Sequence, residues 1–118
     1  MSTQKKPVLT ITRNATATIT AHVAVTLLGA IAAAGSEAAG FAVNDAAIGE
    51  NFPVDVLGTS TGVAGAAVDA GDPLEIGTGG KVVPQTTGAR IGYAMFDAGI
   101  DAPVEVLIDK SPAPPAEA

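Results

Sequence analysis

With no cysteine and a single histidine among 118 residues, the chain has few groups able to do covalent chemistry. His22, the only imidazole, stands in the apolar, strand-like run HVAVTLL, with no Ser-x-Gly elbow and no thiol beside it. An imidazole acts as a general base when a nucleophile and an orienting carboxylate meet it. His22 therefore reads as a structural histidine, and a small hydrolase or isomerase working through it ranks behind the readings below.

Carboxylates are more numerous. Asp69, Asp72 and Glu75 stand three apart in DAGDPLE, a spacing that invites comparison with a Ca²⁺ loop. The run lacks the D-x-D-x-D-G order of an EF-hand, and Pro73 begins a strand between the would-be ligands. Solvated turn carboxylates are the expectation. GTGG at 77–80 has the glycines of a phosphate cradle, but no Lys-Ser/Thr pair follows and no helix opens there, so it reads as a hairpin turn. Asp45 and Asp97 resemble a general acid and base, yet their surroundings, Asn44-Asp45-Ala46-Ala47 and Phe96-Asp97-Ala98-Gly99, are turn chemistry. No catalytic residue, metal ligand or cofactor site is assigned, and a binding or structural role is expected.

The two aspartates are instead the mark of a repeat. GFAVNDAAIGENFPVDVL at 40–57 aligns with GYAMFDAGIDAPVEVL at 92–107: Gly40 on Gly92, Phe41 on Tyr93, Ala42 on Ala94, Asp45 on Asp97, Ala46 on Ala98 and Ile48 on Ile100. After a two-residue deletion, 53–57 matches 103–107. A spacing of about 50 residues predicts a pseudo-twofold domain, each half contributing strand, turn and strand.

The elements that carry these residues have a period of two. VLTIT (8–12) and TATIT (16–20) alternate β-branched and small residues, and HVAVTLL (22–28) continues as a strand. GAIAAAGSEAAG (29–40) reads as loop with room for a helical turn. Short runs then recur between turn residues: FAVN, FPVDVLG, GVAGAAV, PLEIG, KVVPQ, ARIGYAMF and PVEVLI. EIGTGGKVV (75–83) is the clearest hairpin, with Thr78, Gly79 and Gly80 expected at φ > 0. The fold class is all-β, a small barrel- or sandwich-like domain over 21–108, with an extended N-terminal arm over 1–20 and a disordered Pro/Ala tail over 109–118.

Composition bounds what such a domain can do. Hydrophobic residues make up 47% but aromatics only 3%, so the core is thin and self-association would support it. A net charge of −6 with scattered lysines and arginines argues against nucleic acid as a partner. The uncharged run 15–36 superficially resembles a membrane span or a signal peptide. Its threonines, His22 and β-branched alternation speak for strand, and no membrane partner is expected.

From about residue 19 to 108 the chain resembles the capsid cement, or head decoration, proteins of tailed bacteriophages. The resemblance rests on the Gly-aromatic-Ala turn leading into DAAIGE (45–50), the alternating VDVLG strand, the block AGDPLEIGTGGKVV (70–83) and the closing VEVL strand (104–107). It implies a non-enzymatic protein, made in the host cytoplasm, that binds the outer surface of the icosahedral head. There it would bridge major capsid protein subunits, often as a homotrimer at or near threefold positions. By looser analogy with lambda-like decoration proteins, residues 1–20 would be the docking arm, with Val8, Leu9, Ile11 and Ile19 as capsid-contact candidates. The alternative reading is a secreted or surface-exposed β-module, adhesive or carbohydrate-binding, processed after Ala34.

Overall fold

The computed structural model describes residues 6–111; of the tail expected over 109–118, residues 109–111 end the last strand and 112–118 lie outside the described residues. The fold is all-β, with eight strands: β1 (Pro7–Asn14), β2 (Ala24–Val25), β3 (Gly40–Ala42), β4 (Asn51–Val63), β5 (Pro73–Ile76), β6 (Val82–Pro84), β7 (Arg90–Ala94) and β8 (Pro103–Ser111). They form one antiparallel sheet in the order β2-β3-β4-β8-β7-β5-β6, and β1 also pairs with β4. Among the described residues no helix is long and apolar enough to cross a membrane.

β4 joins two repeats. Its first half takes β1 along 51–58 and β3 along 54–55, while its second half, 59–63, pairs with β8. Strand order is β1-β4-β3-β2 in the first repeat and β4-β8-β7-β5 in the second, so β1 holds the place that the second half of β4 holds one repeat later. Between the halves Gly58 takes φ 90, and a Cβ there would lie 2.4 Å from the Lys6 carbonyl oxygen. A side chain at this junction would push β1 off its partner.

The repeat reaches well beyond the residues that look alike. Isolated bridges join Ile19 to Ala46 in one half and Val68 to Ala98 in the other. Asp45 Oδ1 accepts from the Ala21 N–H at 2.7 Å, and Asp97 Oδ1 from the Ala70 N–H at 2.8 Å. Thus ITAHV and VDAGD occupy equivalent places with almost no identity. Two small cores follow the same symmetry: Ala15, Ile19, Val25, Ala42, Val54 and Val56 in the first correspond to Ala64, Val68, Leu74, Ala94, Val104 and Val106 in the second. Phe41 breaks it by reaching into the second core under Gly62, where an added Cβ would sit 3.0 Å from its ring.

Several expected strands are shorter or merged. TATIT contributes a single bridge at Ile19, and HVAVTLL only Ala24–Val25, because His22 (φ 74) and Gly29 (φ 83) bend the chain at either end. FPVDVLG and the start of GVAGAAV fuse into β4. The β5–β6 hairpin forms as expected around a 3-10 turn at Thr78–Gly80, with Gly79 and Gly80 at positive φ but not Thr78. The run 29–39 has no helix.

Among the described residues three carboxylates, Asp55, Glu75 and Glu105, are buried, the first two against side-chain or loop donors. Asp55, 1% exposed, accepts from the Thr10 hydroxyl at 2.8 Å and the Ser60 hydroxyl at 2.7 Å. Glu75 Oε1 accepts from the Thr86 N–H (2.6 Å), the Gly88 N–H (3.0 Å) and the Thr86 hydroxyl (3.2 Å). Burial by itself raises the Glu75 pKa, but the N–H groups of Thr86, Gly88 and Thr87 and the Thr86 hydroxyl outweigh it, and the net shift is downward from 4.5. A carboxylate with a depressed folded pKa contributes stability above its unfolded value and loses it as pH falls through the folded one. Glu75→Gln is therefore expected to cost about 1–2 kcal/mol at neutral pH, with the difference from wild type shrinking below about pH 4.5. Urea titrations at pH 7 and pH 3 read this directly, and a constant difference would show that the carboxylate charge is not the cause.

Candidate functional site

His22 lies in a turn rather than a strand: its φ of 74 matches the 88 of Gly71 in the second repeat, and the two N–H groups donate to Ala42 and Ala94 respectively. Asp72 Oδ2 closes its own turn on the Asp69 N–H at 2.9 Å, while Glu75 faces the 86–88 loop. Among the described residues no three His, Asp or Glu side chains are grouped to hold a metal ion.

The four contact candidates are split by the fold. Ile19 is 1% exposed in the first core and offers nothing to a partner. β1 lies along β4, so residues 7–14 are extended, but as an edge strand of the domain, and Ala15 and Ile19 continue into its core. The arm–domain boundary expected at 20 does not fall there. On β1 Val8 is 77% exposed, Leu9 46%, and Ile11 is half-buried against the first core.

Leu9 and Ile11 form one wall of an open groove of about 610 Å³ on the flank of the first core. Val56 lies at its base, Leu27 and Thr26 come from the turn before Gly29, and 37–39 and Lys110 complete it. The Arg13 guanidinium donates to the Leu27 carbonyl at 3.3 Å and ties the two walls together. Lys110 Nζ donates to the Ala39 carbonyl at 2.7 Å, and burial lowers its pKa. A polar extension of about 130 Å³ continues past Lys110 to Arg90 and Ser111. Arg90 is held there by the Asp109 carboxylate at 3.6 Å and by the Tyr93 ring, 4.9 Å from its centroid.

Leu27 and Lys110 escaped the sequence reading. Leu27-Leu28 before Gly29 was a usable sign, since an apolar pair that breaks alternation ahead of a glycine fits an exposed turn as well as a strand. Nothing local marked Lys110, which reaches the groove from the far end of the chain.

The arrangement presents an apolar recess with Lys110 at one end, the character of a binding surface. Comparison with known proteins agrees with that character, because the family model for phage cement proteins matches residues 3–108. The chain belongs to the phage cement protein family. A phage cement protein is a structural component associated with the capsid, so this is a virion protein. Among solved structures the chain is similar to the N base of the head fiber protein gp8.5 of bacteriophage phi29, with a TM-score of 0.73 and 24% identity, covering 90% of this chain and 98% of that one. That likeness shows that the cement protein shares the fold of that base. No curated protein sequence matches the chain.

Proposed function

We propose that the chain is a non-enzymatic cement protein that binds the outer surface of an icosahedral phage head and bridges neighbouring major capsid protein subunits. The observation that carries this reading is the family match over residues 3–108. The exposed β1 side chains Val8 and Leu9, with Ile11 behind them, are the proposed contacts, and Ile19 acts only by shaping the core beneath them.

Physical chemistry supports the same role. Two cores made mostly of alanine and valine stabilise a free monomer weakly. Association as a trimer at or near threefold positions would cover more apolar surface. Many copies on one lattice then turn modest contacts into firm attachment. A net charge of −6 keeps a protein made in the host cytoplasm soluble and away from the packaged genome.

The test is sedimentation of the purified chain with emptied and DNA-filled heads of the phage that encodes it, alongside its mass by light scattering. Saturable co-sedimentation is expected, with a trimer either free or formed on the head. No binding to either kind of head would overturn the proposal.

A further inference from the structure

We propose that the groove beside β1 receives a segment of the capsid protein in which an aliphatic side chain lies next to a carboxylate. The aliphatic group seats between Leu9 and Leu27, and the carboxylate meets Lys110. This rests on the head-binding reading above and names the chemistry of the partner at that surface.

The apolar half of the argument is exposure. Leu9 is 46% and Leu27 59% exposed across a recess whose base is Val56 and the edge of the first core. Water in such a recess gains few hydrogen bonds, and an aliphatic side chain that displaces it is favoured by the area covered.

The polar half is charge complementarity. The chain carries a net −6, yet Arg13, Arg90 and Lys110, three of its six basic residues, border this groove and its extension. The carboxylates there are Glu37 on the rim and Asp109, which is occupied with Arg90. Lys110 uses one of its three N–H donors on the Ala39 carbonyl among the described residues, which leaves two for another acceptor. An incoming carboxylate would offset the desolvation that its ammonium already suffers. Arg90 is offset by Asp109, so a cationic segment would meet repulsion from Lys110 and from Arg13 beside Leu27, and the groove selects for an acidic one.

The experiment uses the full chain and heads of the encoding phage freed of it. Leu27→Glu and Lys110→Glu are compared with wild type and with Ile100→Glu, a similarly exposed apolar residue (67%) away from the groove. Circular dichroism and melting confirm that each variant folds. Leu27→Glu and Lys110→Glu are expected to raise the concentration for half-occupancy at least about ten-fold, as charge placed in an apolar contact or reversed at its polar end does. Ile100→Glu should stay within about two-fold of wild type, as surface changes away from a contact do. Wild-type binding that both groove variants retain would overturn this inference and leave head binding standing, whereas failure of the wild type to bind would overturn both. A benzophenone side chain at position 27, photolysed on the heads, is expected to mark a capsid-protein peptide with Asp or Glu within a few residues. Cross-links to a second copy, or to 112–118 of the same chain, would show another occupant and overturn the inference.

Discussion

Gly40→Ala is expected to destabilise the protein by about 3 kcal/mol or more, enough to abolish most of the folded population of a weakly stabilised domain. A Cβ at Gly40 would lie 1.9 Å from the Asp55 carbonyl oxygen, and that oxygen belongs to β4, which is held by strands on both sides. Neither strand can yield without breaking its ladder. Gly92 meets the same obstacle in the second repeat, 2.1 Å from the Leu107 carbonyl oxygen, and Gly92→Ala should cost as much. The Gly-aromatic-Ala motif is therefore a packing requirement, stated twice. Gly49→Ala is the control: its φ is 90, but nothing lies within 4 Å, and Asp101 occupies the equivalent turn with φ 65. There the cost is backbone strain of about 1 kcal/mol. Urea unfolding midpoints separate the two kinds of glycine, and equal losses at positions 40 and 49 would contradict close approach as the reason.

Deleting residues 2–18 is expected to remove the cooperative unfolding transition of the first repeat. The deletion takes away β1, which pairs with β4 from Gly58 to Asn51, and Ala15, 1% exposed in the first core. It leaves the first half of β4 with an open edge and Asp55 without the Thr10 hydroxyl. Ile19→Ala, made in the full chain, reports on the same core with the backbone intact and should cost about 2–4 kcal/mol. Calorimetry of both chains checks the expectation, and a truncated protein that melts like wild type would show β1 to be dispensable. Loss of head binding in a truncated chain would thus carry no information about contact, whereas single substitutions at exposed positions such as Leu27 do.

The class of fold and half of its symmetry were legible in the sequence. Turn residues at short intervals and alternation of period two are local properties, so β3 to β8 fall near the runs that announced them. The aligned motifs marked the two repeats where identical residues were needed, at Gly40 and Gly92 and at the capping Asp45 and Asp97. The other half of each repeat was hidden. Ile19 and Val68, or His22 and Gly71, fill equivalent places with different residues, because a core position asks only for an apolar group of fitting size and a left-handed turn only for a residue that tolerates it.

Composition, periodicity and the aligned motifs by themselves determined an all-β protein, thinly packed and built as two copies of one plan. Only the tertiary structure decided what each extended run faces. TITRN in β1 and the residues after it read as an arm because their alternation is that of any strand, and whether a strand is free or paired depends on a partner some 45 residues away. The same long-range pairing buries Ile19 while leaving Leu9 open. It also gathers Leu9, Leu27, Val56 and Lys110 around one groove. A local pattern records the conformation of a segment, whereas a binding surface is made from segments that meet only after the sheet has formed.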